Sequence, residues 1–302
     1  MTSIEVRQRV RFAGGSDTVV GWHYPGTNGA CVVMAPGGGA TKEPGTDRFA
    51  ARFHAAGYSV LAFDFRHLGE SGGTPRQVIR IREQVADLEA AIQHAASLPE
   101  VDSARIACWG FSLAGGHLFR IAARTPGVAA VISQSPLADN LVASPKALRY
   151  ESPGVALRFP LIAAADAIGG LFGRVPHVIP LAGPRGTVAM LSTPDALDGA
   201  AALDPDGRYP EWKQTIAARS VLPLMAYRPG RDAAKARCPM LVVICEQDLT
   251  ALAAPAHKAA ARIPDAEVLS VPGGHYAPFL DQHEVVVAAE LDYLQRRVLQ
   301  TV

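Results

Sequence analysis

Short, mostly apolar runs recur along the first 133 positions of the chain, and segments with helical periodicity lie between them. The runs predict buried strands at 30–35, 58–65, 106–109 and 128–133. The intervening segments predict helices at 46–56, at 78–97 and after Gly116. Because strand and helix alternate, we expect a mainly parallel sheet with helices on both faces.

A β-hairpin is predicted before the first buried strand. Its two strands lie at 4–12 and 18–24, where apolar and polar residues partly alternate on either side of a turn that contains two glycines. An antiparallel hairpin that precedes a parallel sheet is expected at one edge of that sheet.

The alternation of strand and helix stops at about Asp139 and resumes at Met240. The segment between them contains many prolines separated by short apolar helical pieces. After it, the pattern predicts a strand at 240–245, a helix at 255–262, a strand at 266–271 and a helix at 284–299. We therefore predict a core formed by 1–138 and 232–302, with a helical lid or cap inserted at 139–231.

Length and composition allow either one large α/β domain or a core with an insertion. The 302 residues are 49% hydrophobic and 19% charged, which is enough apolar material for a sizeable core. The 29 basic residues nearly balance the 28 acidic ones, so the net charge of +1 provides no field that would attract nucleic acid or an acidic membrane. We expect neither as a partner, and the sequence leaves the oligomeric state open.

Two segments and the cysteines bear on cellular location and metal binding. The first residues lack the apolar segment of a secretory signal. The most apolar long stretch, 155–172, contains Arg158, Pro160 and Asp166, so it fits a lid or core segment better than a membrane span. The four cysteines form no C-x-x-C pair. We expect a cytoplasmic protein with reduced cysteines and with no disulfide, metal or cofactor.

The first candidate for chemistry is Ser112, which stands between a predicted strand and a predicted helix. Small residues flank it at Gly110, Ala114 and Gly115. A nucleophile elbow needs small residues at such positions, because larger side chains would collide with the backbone in so sharp a turn. The pattern is G-x-S-x-A-G rather than the usual G-x-S-x-G, and a glycine-rich turn with an exposed serine is equally compatible with it. The elbow interpretation therefore needs a base and an acid elsewhere in the chain.

A glycine-rich loop, Pro36–Lys42, follows the first buried strand. Its spacing matches neither the phosphate-binding loop nor the dinucleotide-binding motif. It is either a flexible loop or an oxyanion loop, and its position after a buried strand favours the second interpretation. The predicted oxyanion donors are the N–H groups of Gly38 and of Leu113 at the helix start. We interpret Asp64 and Arg66 as an ion pair that fixes the neighbouring loop.

The candidate general base is His275, which follows the last predicted strand after two glycines. Asp248, after the strand at 240–245, is the leading candidate for the acid that orients the histidine. Asp139 is an alternative acid, and Glu246 is another. Serine, acid and histidine each follow a strand, so we expect them to meet at the carboxyl edge of the sheet.

Three segments together resemble the α/β-hydrolase superfamily: Phe63–Gly72, Gly110–His117 and Gly273–His275. The spacing of Lys42-Glu43, Asp64–His67, Leu98-Pro99 and Ile132–Gln134 is similar to that of dienelactone-hydrolase-like and polyketide-transferase-like hydrolases. The resemblance covers nearly the whole chain apart from the lid. It departs from the family at Ala114, usually a glycine, and at Pro36, often a histidine in relatives. The resemblance implies an α/β-hydrolase fold and activity on esters or thioesters, with release or transfer of polyketide acyl chains in some members.

The leading hypothesis is a serine hydrolase that cleaves a carboxylic ester of a small molecule through an acyl-enzyme. His275 would take the proton of Ser112, and Asp248 would orient the imidazole. An alanine- and leucine-rich lid suggests an apolar acyl or alcohol group. One alternative is a thioesterase or acyltransferase that acts on a polyketide-like acyl chain. Another, of a different class, is a catalytically silent binding protein on the same fold.

Overall fold

Eight strands form the central sheet of the protein, whose computed structural model describes residues 7–300. In chain order the strands are β1 (Gln8–Gly14), β2 (Asp17–Tyr24), β3 (Cys31–Ala35), β4 (Ser59–Phe63), β5 (Ile106–Phe111), β6 (Val128–Gln134), β7 (Val178–Pro180), β8 (Thr215–Ala217), β9 (Met240–Cys245) and β10 (Ala266–Val271). The α-helices are α1 (Thr46–Ala55), α2 (Ile81–Ala96), α3 (Leu113–Arg124), α4 (Asn140–Ala147), α5 (Pro153–Leu171), α6 (Gly199–Leu203), α7 (Val221–Met225), α8 (Ala253–Ala260) and α9 (His283–Leu294). The sheet order is β1-β2-β4-β3-β5-β6-β9-β10, and β7 and β8 pair separately.

The direction of the strands changes only at the hairpin edge. β2 is antiparallel to β1 and to β4, and the remaining sheet neighbours are parallel. The predicted mainly parallel α/β sheet is thus confirmed. The strand order reverses between β3 and β5, because β4 lies on one side of β3 and the later strands lie on the other. Open α/β sheets bind ligands in the crevice at such a reversal, beyond the carboxyl ends of the strands.

Strand side chains alternate between two apolar layers, as the period of two along a strand requires. In β3, Val32 and Met34 point into the layer that α1 and α9 cover, where Phe49 and Tyr293 are fully buried. Val33 lies in the opposite layer, which α2, α3 and α8 cover. Both faces of β3 are therefore dry, which explains why its sequence is a continuous apolar run.

Several element boundaries differ from the predicted ones. The predicted first strand begins at Ile4, but residues 4–6 lie outside the described part of the chain, and β1 starts at Gln8. The strand before Ser112 runs on to Phe111, because Phe111 still pairs with Gln134 of β6. The last helix ends at Leu294 and continues as a π-helical turn over Gln295–Leu299. None of these shifts moves a candidate site residue off its loop.

The segment between β6 and β9 contains more than the predicted short helices. Besides α4 to α7 it holds 3₁₀ turns and the small antiparallel sheet of β7 and β8, which no pattern in the sequence predicted. Its apolar side chains Ile179, Ile216 and Leu224 pack in one cluster with Leu113, the residue after Ser112. The inserted segment thus lies directly against the elbow. Its role as a lid stays a prediction.

Helix α5 carries much of the exposed apolar surface of the inserted segment. Its most exposed large apolar side chains are Leu157, Leu161, Ile168 and Leu171. Among the described residues, α5 is the one helix long and apolar enough to cross a membrane, judged by length and composition only. Asp166 of α5 pairs with Arg219 at 2.8 Å and accepts a backbone hydrogen bond from His177 at 2.8 Å. These contacts fix α5 against the chain that follows it.

Candidate active site

Ser112 occupies the sharp turn between β5 and α3. Its backbone has φ 56° and ψ −114°, a conformation that residues other than glycine rarely adopt. A Cβ placed on Gly110 would lie 2.9 Å from the backbone carbon of Ala114, and one on Gly115 would lie 3.0 Å from the carbonyl oxygen of Gly110. The flanking glycines are therefore required by contact between strand and helix. Ala114 is fully buried without distorting the turn, so its extra methyl group is accommodated.

A chain of hydrogen bonds joins Ser112 to His275 and Asp248. The Oγ of Ser112 lies 2.9 Å from Nε2 of His275, and Nδ1 of His275 lies 2.7 Å from Oδ2 of Asp248. The carboxylate fixes the tautomer: Nδ1 donates to Asp248, and Nε2 is free to accept from the serine hydroxyl. Ser112 is partly exposed, whereas the imidazole is buried, so a substrate can reach the hydroxyl while bulk water is kept from the base.

Two carboxylates act on the charge of His275. Burial by itself would lower the pKa of His275, but the negative charge of Asp248, its hydrogen bond and the charge of Asp195 together raise that pKa above its usual value. Asp248 is itself held in place, because its Oδ1 accepts hydrogen bonds from the backbone N–H groups of Thr250 at 2.9 Å and Ala251 at 2.7 Å. The site therefore stabilises an imidazolium when the histidine takes up a proton.

The alternative acids have other partners. Asp139 forms an ion pair with Arg228 at 2.6 Å, and Glu246 contacts the half-exposed ring of His257 at 3.0 Å. Neither forms a hydrogen bond with His275 in the described part of the chain. Of the three carboxylates that the sequence put forward, the structure brings only Asp248 to the histidine.

The two predicted oxyanion donors lie next to each other beside Ser112. A Cβ built on Gly38 would be 3.3 Å from the side chain of Leu113, so loop and helix start are in close approach. Leu113 is the first residue of α3, and its N–H has no partner within the helix. Over residues 7–300, neither backbone N–H donates a hydrogen bond to the protein. Both groups are thus available to a ligand oxygen.

The glycine loop is anchored by a buried ion pair that the sequence did not predict. Asp64 accepts hydrogen bonds from the backbone N–H of Lys42 at 2.7 Å and from its Nζ at 3.0 Å. The predicted pairing of Asp64 with Arg66 is wrong, because Arg66 binds Asp87 of α2 instead. Burial would lower the pKa of Lys42, but Asp64 and the neighbouring glutamates raise it, so the lysine stays charged.

Sequence reasoning missed Asp195, which comes from the inserted segment. Its carboxylate accepts hydrogen bonds from the backbone N–H of Leu249 at 2.8 Å, the hydroxyl of Thr250 at 2.9 Å and the backbone N–H of His275 at 3.2 Å. Burial would raise the pKa of Asp195, but the hydrogen bonds from Leu249, Thr193 and Thr250 and the charge of the His275 imidazolium lower it. One carboxylate therefore ties the acid loop to the histidine loop. Asp195 follows a proline in a segment without helix or strand periodicity, so no pattern in the sequence indicated this role.

A small cavity of about 40 Å³ opens onto Ser112. Its wall is mostly apolar, and Leu181, Met190 and Leu203 of the inserted segment contribute to it. Met190 and Leu181 also touch the core layers of the sheet domain. The inserted segment thus forms one side of the site, and the loops after β3 and β5 form the other.

The predicted cysteine positions are inside the fold. Cys31, Cys108 and Cys245 are buried in β3, β5 and β9, Cys238 is half-buried before β9, and all four are free thiols. Burial raises the pKa of Cys245 to about 12. Across the described residues, no group of three or more histidine, cysteine, aspartate or glutamate side chains is arranged to hold a metal ion.

Comparison with known proteins places this chain in a wider group. The model of the Alpha/beta hydrolase family matches residues 32–289. The quorum-quenching protein AidA of Acinetobacter baumannii (strain MDR-ZJ06) is 37% identical over 269 residues, which cover 88% of this chain and 86% of that protein. A polyketide transferase of a Penicillium species, grgF, is 33% identical over 124 residues, 41% of this chain and 42% of its own length.

Solved structures agree on the fold. The crystal structure of the alpha/beta hydrolase GrgF from Penicillium superposes with a TM-score of 0.81 at 24% identity and covers 97% of this chain and 99% of that one. An esterase of Pyrococcus furiosus superposes with a TM-score of 0.68 at 16% identity, over 97% of this chain and 91% of its own. With the family match over most of its length, the chain belongs to the alpha/beta hydrolase family and resembles its polyketide-transferase-like members.

Proposed function

We propose that this protein is a serine hydrolase that cleaves a carboxylic ester of a small molecule through an acyl-enzyme intermediate. The observation that supports this best is the hydrogen-bond chain from Ser112 through His275 to Asp248, beside a cavity with two unengaged N–H groups. A serine hydroxyl is a weak nucleophile until a base removes its proton, and this arrangement supplies an oriented base.

In the first half-reaction, Oγ of Ser112 forms a bond to the ester carbonyl carbon as its proton passes to Nε2 of His275. The carbonyl oxygen becomes an oxyanion that accepts hydrogen bonds from the N–H groups of Leu113 and Gly38. As the intermediate collapses, the bond to the alcohol oxygen breaks, and the imidazolium gives its proton to the leaving alcohol. The acyl group stays on Ser112.

In the second half-reaction, water replaces the alcohol. His275 takes a proton from the water as its oxygen attacks the acyl carbonyl, and the same two N–H groups hold the oxyanion. Collapse breaks the bond to Ser112, which recovers its proton from His275 while the carboxylic acid leaves. Asp248 stays ionised throughout and keeps the imidazole in one orientation.

Replacement of the nucleophile tests this proposal. We expect Ser112→Ala to lower kcat/KM for p-nitrophenyl butyrate by on the order of 10⁴-fold or more, because no other group can form the acyl-enzyme. The matched control is Ser103→Ala, an exposed serine in the loop before β5, which should keep full activity. If Ser112→Ala keeps full activity on this ester, the mechanism is wrong.

A thioesterase or acyltransferase is the second candidate, and the likeness to named enzymes favours it. A thiohydrolase of Arthrinium phaeospermum is 30% identical over 162 residues, and two polyketide transferases are 37% and 33% identical over 123 and 124 residues. The acyl-enzyme would be the same, but the donor would be a thioester or the acceptor an alcohol. Faster cleavage of acyl thioesters than of matched oxygen esters, or transfer to added alcohol in excess of hydrolysis, would establish this candidate.

A catalytically silent binding protein is the third possibility. A fluorophosphonate probe that reacts with activated serines separates it from the other two. Labelling that disappears in Ser112→Ala supports an enzyme, and a folded wild-type protein that is not labelled would be a binding protein.

A further inference from the structure

A second cavity of about 120 Å³ adjoins the one at Ser112. Six residues line both cavities: Leu137, Asn140, Met190, Leu191, Leu224 and Thr250. The two spaces therefore adjoin, and the second cavity lies beside any group that is attached to a carbonyl at Ser112.

Helix α4 lies along the second cavity. Asn140, at its start, borders both spaces, whereas Ser144, Ala147 and Leu148 border only the second. Eight residues of α-helix span about 12 Å. The cavity is therefore elongated and leads away from Ser112 toward the end of α4, which is the shape that a chain-like group requires.

Glu151 lines the end of this cavity just after α4. It is only 9% exposed, and its Oε2 is shielded from solvent without a hydrogen-bond partner among the described residues. The neighbouring wall is apolar, with Phe159, Val221 and Met225. A buried carboxylate oxygen without a partner costs free energy, and a donor group on a ligand at this part of the cavity would offset that cost.

We propose that the second cavity holds the acyl chain of the substrate and that Glu151 binds a hydrogen-bond donor, such as a hydroxyl or an amide N–H, near the far end of that chain. The proposal rests on the proposed function of Ser112. The acyl part fits better than the alcohol part, because the acyl group stays attached to Ser112 while the alcohol has to leave. An ester with a plain alkyl chain would leave Glu151 without its donor.

Three esters with the same leaving group test the proposal: p-nitrophenyl octanoate, 8-hydroxyoctanoate and 8-methoxyoctanoate. The hydroxyl donates a hydrogen bond, whereas the methoxy group only accepts one. We expect the wild-type protein to have a kcat/KM about tenfold higher or more for the hydroxy ester than for the methoxy ester, as a hydrogen bond to a charged group gives. This comparison needs no variant and is unaffected by folding.

Variants at Glu151 sharpen the result. In Glu151→Gln, which is nearly the same size, the new amide can donate to the methoxy oxygen, so the ratio of hydroxy to methoxy activity should fall toward one. In Glu151→Leu, the plain octanoate should become the best of the three. The matched control is Glu211→Gln, an exposed glutamate of the same inserted segment, which should keep the wild-type ratio.

The outcomes separate this proposal from the one it rests on. If Ser112 reacts with a fluorophosphonate and butyrate is cleaved, but the wild type and the Glu151 variants share a ratio of one, the assignment of Glu151 is overturned and the hydrolase proposal stands. If the preference for a donor appears only when the hydroxyl is placed on the alcohol side of the ester, the acyl assignment is overturned. If Ser112 does not react at all, both proposals fail.

Discussion

Ser112 lies between two sets of loops that the protein holds in different ways. On the oxyanion side, the glycine loop is fastened from within the sheet, by the fully buried pair of Lys42 and Asp64. On the other side, the loops of Asp248 and His275 are fastened from the inserted segment, by hydrogen bonds to Asp195. One anchor belongs to the core, and the other belongs to the inserted segment.

The two anchors therefore have different effects: one stabilises the fold, and the other affects the pKa of His275. The core anchor consists of charges removed from water, so the fold depends on keeping both partners. In the anchor from the inserted segment, the carboxylate of Asp195 accepts hydrogen bonds mostly from backbone N–H groups. Its negative charge also lies near the imidazole of His275. A displacement of the inserted segment would therefore alter the position and pKa of His275 while the sheet stays folded.

The largest expected effect is on the core anchor. Asp64→Asn leaves the ammonium of Lys42 buried with less compensating charge, so we expect the free energy of unfolding to fall by about 3–5 kcal/mol. Denaturant unfolding followed by circular dichroism measures this. The control Asp292→Asn breaks an exposed ion pair with Arg296 and should cost less than about 1 kcal/mol. Equal losses in the two variants would contradict the assignment of the buried pair of Lys42 and Asp64 as an anchor of the fold.

A smaller loss of stability but a distinct change in activity is expected for Asp195→Asn. Without its charge the pKa of His275 falls, since Asp195 is one of the groups that raise it. The base must be unprotonated, so activity is lost as the pH falls through this pKa, and the wild-type acid limb lies above the usual histidine value of about 6.5. In the variant, the acid limb of kcat/KM should move to lower pH.

Without the hydrogen bonds to Asp195, the loops of Asp248 and His275 should also be misplaced. This should lower kcat/KM of Asp195→Asn at its optimal pH by about ten- to a hundredfold. The matched control is Asp198→Asn, which removes the same charge from an exposed position three residues further along. An unshifted acid limb in Asp195→Asn, with activity lowered equally at every pH, would show that Asp195 is only structural.

The contrast between the anchors also separates the contacts that could be predicted from the sequence from those that could not. Ser112, Asp248 and His275 each follow a predicted strand, and carboxyl ends of parallel strands share one edge, so their meeting could be predicted without knowing the packing. The same logic placed the glycine loop of β3 beside the loop of β5. Periodicity thus suffices for residues that are positioned directly by the sheet.

Residues that are positioned by tertiary contacts could not be predicted in this way. Asp64 and Arg66 are close in sequence and opposite in charge, yet each is paired with a residue about twenty positions away, Lys42 and Asp87. Asp195 lies in a segment whose prolines and short helices carry no period that relates it to the sheet. Its hydrogen bonds depend on how the inserted segment folds back, and a single sequence gives no measure of that.

The elbow itself should depend on neither anchor, and Ala114→Gly tests this with the smallest expected effect. Ala114 is the second residue of α3 and fully buried, so glycine should cost about 0.5–1 kcal/mol of stability through helix propensity. The backbone of Ser112 is set by the close approach of Gly110 to the backbone of Ala114 and Gly115, and the loss of the Ala114 methyl group leaves that backbone contact in place. We therefore expect kcat/KM for p-nitrophenyl butyrate within about twofold of the wild-type value. A tenfold loss would mean that the methyl group of Ala114 helps to hold Ser112 in its strained conformation.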